Sequence, residues 1–176
     1  MQSFKIIKPI HILTPYVRYY WILEDGADVS VSERTLPTGC IQLVFHRGKR
    51  LLLVGKKESQ PQAFICGQCL NFSDVMSAGK IEMITVVFQP YAARAILQLP
   101  LKFFYGELIA VDAIEDLELS ILSRKVIEAD DHETCIRLIE QFLIHRLYRF
   151  EGYEYNLKRI SAVLHQINEE AKTNIS

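Results

Sequence analysis

Near Gln89-Pro90-Tyr91 the hydrophobic rhythm of the chain changes period, and this change constrains the fold more than any other feature. From Thr14 to about Val87, short apolar runs alternate with turn residues, the rhythm of an all-β unit. Beyond Tyr91 the apolar residues recur every three or four positions, the spacing of helices. The predicted class is α+β: a β-rich barrel or sandwich over about 10–90, then a helical segment over about 91–150.

Within the first part, Tyr16 to Leu23 is dense in aromatic and β-branched residues and ends at the turn signal Glu24-Asp25-Gly26, so it reads as a strand. Tyr20 and Trp21 must then point to opposite faces, one into the β unit and the other towards a helix or solvent. Cys40 to His46 is a second strand with Ile41, Leu43 and Phe45 on one face. Arg47-Gly48-Lys49 and Leu51 to Val54 follow, which predicts a hairpin. Phe64 to Gly67 is a brief strand, and Ile81 to Phe88, apolar on both faces, suits a strand near the middle of the layers.

In the second part, Ala92 to Leu99 is a short helix stopped by Pro100. Asp116 to Glu128 is apolar almost all round and is expected to be covered on more than one side. Glu133 to Phe150 carries a main stripe of Ile136, Ile139, Leu143, Leu147 and Phe150, widened by Leu138 and Phe142. Arg137, Gln141, His145 and Arg149 lie on its other side. After Gly152, residues Leu157, Ile160, Leu164, Ile167 and Ala171 make the stripe of one more helix.

Composition excludes several function classes. Twenty basic and 21 acidic residues give a net charge of -1, so no global field attracts nucleic acid or an anionic membrane. No apolar run approaches the roughly 20 residues that span a bilayer, and the first 12 residues lack a signal-peptide core. A cytoplasmic protein without membrane attachment is expected, with Cys40, Cys66, Cys69 and Cys135 as free thiols.

Motifs for catalysis are missing. The five histidines are scattered, no serine sits in a Gly-x-Ser-x-Gly elbow, and no glycine-rich loop cradles a phosphate. Cys66-Gly67-Gln68-Cys69 has the spacing of a redox pair or half a zinc site, but a structural zinc site needs four ligands and no second pair occurs. Packed thiols at a strand end are the plainer reading. No catalytic residue, metal site or cofactor is assigned. Residues Glu115, Asp116 and Glu118 read as helix-start charges.

Tyr16-Val17-Arg18-Tyr19-Tyr20-Trp21, Leu36-Pro37-Thr38-Gly39-Cys40 running into Gln42-Leu43-Val44-Phe45-His46, Gly67, Val87-Phe88-Gln89-Pro90-Tyr91-Ala92-Ala93 and Leu99-Pro100-Leu101 occur in that order. In this order the chain resembles the N-terminal half of bacterial AraC-family transcription regulators that carry an uncharacterised sensor-like domain. The resemblance runs from about Pro9 to Ser176. Arg159 to Leu164 with Ile167-Asn168 resembles the first helix of the AraC-type DNA-binding domain. That divides the chain into a regulatory domain, 1–150, and the start of a truncated helix-turn-helix domain, 151–176.

The resemblance implies a cupin-like sensing domain, followed by helices that mediate homodimerisation. DNA would be bound only through the helix-turn-helix units absent from this sequence. A small-molecule effector would sit inside the β unit, lined by some of Tyr20, Trp21, Gln42, Phe45 and Phe88. The dimer face would use Leu138, Phe142, His145 and Arg149, leaving the main stripe for internal packing. Two alternatives stand beside this reading: a ligand-free dimerisation module, and a small metal or redox protein using Cys66 and Cys69.

Overall fold

The computed structural model describes residues 2–26, 32–35, 39–68, 72–77, 79–100, 105–106 and 108–149. The chain is α+β. Strands β1 (Gln2–Ile7), β2 (Val17–Asp25), β4 (Gln42–His46), β7 (Ala63–Cys66), β9 (Ile81–Phe88) and β10 (Leu108–Ala110) form a six-stranded sheet in the order β1-β2-β9-β4-β7-β10. Strands β3 (Ser32–Thr35), β5 (Leu52–Leu53), β6 (Glu58–Ser59) and β8 (Ser73–Met76) form a four-stranded sheet, β3-β8-β5-β6. Every pairing between these strands is antiparallel. Among the described residues three α-helices follow β9: α1 (Ala93–Leu97), α2 (Leu117–Glu128) and α3 (His132–Tyr148).

The large sheet is the middle layer, and strand parity sorts its side chains. Tyr20 and Ile22 of β2, Leu43 and Phe45 of β4, Ile65 of β7, and Ile84, Val86 and Phe88 of β9 point to one face. There they pack with Ile96 and Leu97 of α1, Leu119, Leu122 and Val126 of α2, and Cys135, Ile139 and Leu143 of α3. The opposite face carries Trp21, Leu23, Val44, Phe64 and Met83, which meet Leu53 and Val75 of the small sheet. Strand β9 lies between β2 and β4 and is buried along most of its length, which is why it is apolar on both sides.

Four features differ from the sequence expectation. The hairpin between β4 and β5 does not form. The amides of Arg47 and Gly48 bond the carbonyl of Glu82, and that of Lys49 bonds Lys80, so the chain stays against β9 before crossing to the other sheet. Helices do not have the second part to themselves, since β10 returns to extend the large sheet beyond β7. Among the described residues helix α2 is covered on one side, with Leu117 and Ile121 exposed. Strand β1 begins before the expected start of the β unit.

Helix ends follow capping chemistry. The Asp116 side chain accepts from the Leu119 amide at 3.0 Å, and the Asp131 side chain accepts from the Thr134 amide at 2.7 Å. Hydrogen bonds from the Thr134 amide and hydroxyl hold the Asp131 carboxyl below the usual carboxylate range. Helix α1 ends at Gln98, which adopts the left-handed conformation at φ 56°, two residues before Pro100. The helix expected over 156–171 and the stripe residue Phe150 lie outside the described residues.

Candidate functional site

The adjacent residues Tyr20 and Trp21 face different layers of the molecule. Tyr20 is fully buried under the helices beside Glu140, and burial, reinforced by that carboxylate, raises its phenol above the usual tyrosine range. Trp21 faces the small sheet and packs against Phe4 with the rings tilted at 37° and their centroids 5.8 Å apart.

On the Trp21 side the two sheets do not close completely. They leave a cavity of about 660 Å³, a volume typical of small-molecule sites. Its wall is mainly apolar: Trp21, Leu23, Val44, Phe64, Val75 and Met83 come from β2, β4, β7, β8 and β9. Gln42, Gln60, Cys40 and Cys66 add polar or polarisable groups. Asp74 at the wall is paired with Arg34 at 2.8 Å, and Arg34 stacks over Phe72 at 3.9 Å. The guanidinium holds the Asp74 carboxyl below its ordinary range.

Behind the wall sits a buried polar pair. His46 is inaccessible to solvent, and its Nε2 lies 2.9 Å from Gln60 Oε1. Burial lowers the imidazole to about 4, and Arg50 pushes the same way. The neutral ring donates Nε2–H to the Gln60 carbonyl oxygen, which leaves Nδ1 buried without a partner. Phe64 packs on the ring, with centroids 5.8 Å apart.

The five expected ligand residues are therefore divided. Trp21 and Gln42 line the cavity, whereas Tyr20, Phe45 and Phe88 belong to the core under the helices. The physical reason is strand parity. Gln42 and Phe45 are three positions apart in one regular strand and cannot share a face. The same parity groups Gln42 with Val44 and His46, a signal present in the sequence. Gln60, Phe64 and Val75 carry no such signal: Gln60 lies between β6 and β7, β7 and β8 are too short to show alternation, and their partners are distant in sequence.

On α3, the residues expected at a dimer face occupy two environments. Leu138 and Phe142 are half-buried against the main core, whereas His145 and Arg149 are exposed and lie within ion-pair distance of Glu118 at 3.8 and 2.6 Å. The stripe residues Ile136, Ile139 and Leu143 are buried internally, as expected, and Leu147 is half-buried. Cys66 ends β7 and Cys40 and Cys135 are buried, while Cys69 lies outside the described residues. Among the described residues no group of three or more His, Cys, Asp or Glu side chains could hold a metal ion.

Fold and cavity define the class: an α+β protein whose two antiparallel sheets flank a half-open, largely apolar cavity, with helices backing the larger sheet. The chain belongs to the family described as a domain of unknown function, DUF6597, whose profile matches residues 5–110. The match runs from β1 to the last residue of β10, so it takes in both sheets and α1 and stops before α2. No curated protein matches the chain. No helix among the described residues is long and apolar enough to cross a membrane.

Proposed function

We propose that this chain is the sensing region of a bacterial AraC-type transcription regulator, a cupin-like unit whose inter-sheet cavity receives a small-molecule effector. The cavity carries this reading: about 660 Å³ bounded by two sheets, with a mainly apolar wall that includes Trp21, the single tryptophan of the chain. The resemblance of the β2, β4 and β9 segments to that regulator family supplies the transcriptional context. Effector binding would alter the arrangement of helices behind the large sheet, and through them a DNA-binding domain that the resemblance places from residue 151 onward. Such coupling requires that the effector bind one arrangement better than another. A homodimer formed through exposed parts of α3 would match the paired half-sites such regulators read.

The test is a mobility shift with the product of the complete open reading frame and DNA from upstream of its own gene, beside the 176-residue chain. Specific retention by the complete product alone supports the reading. Failure of the complete product to retain any upstream DNA removes it.

A further inference from the structure

The walls of the cavity, taken with its polar atoms, point to a ligand chemistry. Most of the wall is aliphatic or aromatic, so it rewards apolar surface. Its charged lining residues give no buried counter-charge to a ligand: Asp74 is already paired with Arg34, and Lys56 is exposed. A carboxylate or phosphate inside would lose its hydration with no partner to replace it. The one nearly buried polar side chain in the wall with a defined orientation is Gln60, 8% exposed. His46 occupies its Oε1 and the Gln60 backbone amide bonds Leu51, which leaves the side-chain amide nitrogen without a partner among the described residues. An amide donor left open on a mainly apolar wall selects an acceptor on whatever fills the space.

We infer that the cavity takes an uncharged, mainly apolar molecule bearing a carbonyl-type acceptor, with the Gln60 amide donating to that acceptor and His46 fixing the amide's orientation. This rests on the reading of the cavity as an effector site and adds the ligand class and the positioning pair.

A pair of probes of equal size separates the two ideas. Binding of 2-acetylnaphthalene and of 2-naphthoate to the full chain at pH 7 would be measured by calorimetry. The ketone should bind at least about tenfold more tightly than the carboxylate. Gln60→Glu, which still accepts from His46 but offers no donor, should weaken the ketone about tenfold, the worth of one hydrogen bond. Circular dichroism and the melting transition report whether the variant is folded; Gln60→Met, of similar length and also without a donor, replaces it if it is not. Equal or tighter binding of 2-naphthoate would overturn the ligand class while leaving the effector-site reading in place. Ketone binding unchanged in a folded Gln60 variant would remove Gln60 from the site. If neither probe binds, both the class and the effector-site reading fall.

Discussion

The guanidinium of Arg146, near the end of α3, bonds both carboxylate oxygens of Asp116, the N-cap of α2, at 2.5 and 2.7 Å across 30 residues of sequence. Arg146 is 6% exposed, its Nε lies 2.9 Å from Glu118, and its guanidinium stands 4.9 Å from the Phe142 ring centroid. One side chain thus ties the start of α2 to the end of α3, its single positive charge shared between two carboxylates. Arg146→Met keeps most of the apolar contact but strands Asp116 in a nearly buried position. The expected loss is about 3 kcal/mol of unfolding free energy, the scale for breaking a buried pair. Urea denaturation checks it, and a loss below about 1 kcal/mol would show that solvent screens the pair as it does on a surface.

His46 makes stability depend on pH. Its imidazole is lowered to about 4 in the folded chain, whereas unfolded it titrates near 6.5. Between those values the unfolded chain binds the proton and the folded chain does not, so stability rises with pH. The contribution is fully present above about 6.5 and is lost as pH falls towards 4, amounting to about 3 kcal/mol. Denaturant midpoints of wild type and His46→Gln, measured from pH 7 to pH 5, should show a slope in the first that is shallower in the second. Parallel slopes would mean that His46 stays hydrated.

The two faces of the large sheet should respond differently to truncation. Phe45 is fully buried under the helices, so Phe45→Ala should cost about 3–5 kcal/mol through lost transfer energy and a new void. Trp21 is half-buried and already borders empty space, so Trp21→Ala should cost less than half as much and leave a folded protein. Thermal melts of the two variants decide this, and equal losses would show that Trp21 is as much a core residue as Phe45.

Gly48 is required by close approach. A Cβ built there would stand 2.7 Å from both the Glu82 amide nitrogen and the Lys80 carbonyl oxygen, backbone atoms that can shift only with the sheet. Gly48→Ala should destabilise by about 1–3 kcal/mol, the range for forced overpacking. Gly55, with nothing within 4 Å of its Cβ position, should tolerate alanine within about 0.5 kcal/mol. A melting comparison of the two variants tests the contrast, which disappears if the chain at Gly48 can move away from β9.

Much of the architecture was legible in local pattern. The runs around Trp21, Leu43, Phe64 and Val86 are strands, and the stripes on α2 and α3 are helices within a residue or two of the expected ends. The site was only half legible. Trp21 and Gln42 line the cavity, but Phe45, expected beside Gln42, faces the helices by the parity of their shared strand. Gln60 and Val75 had no local mark, since they become neighbours of the cavity only when β5, β7 and β8 are brought together.

By itself the sequence determined element type, the change from two-residue to three-and-four-residue period, and which side chains of each strand travel together, because these follow from backbone geometry within a few residues. Tertiary structure decided the rest. Strand β4 pairs with β9 and β7 rather than with β5, Tyr20 rather than Trp21 meets the helices, and a cavity remains between the sheets. Backbone hydrogen bonding is nearly blind to side-chain identity, so strand partners and the layer that covers each face are settled only when every apolar stripe competes for cover at once.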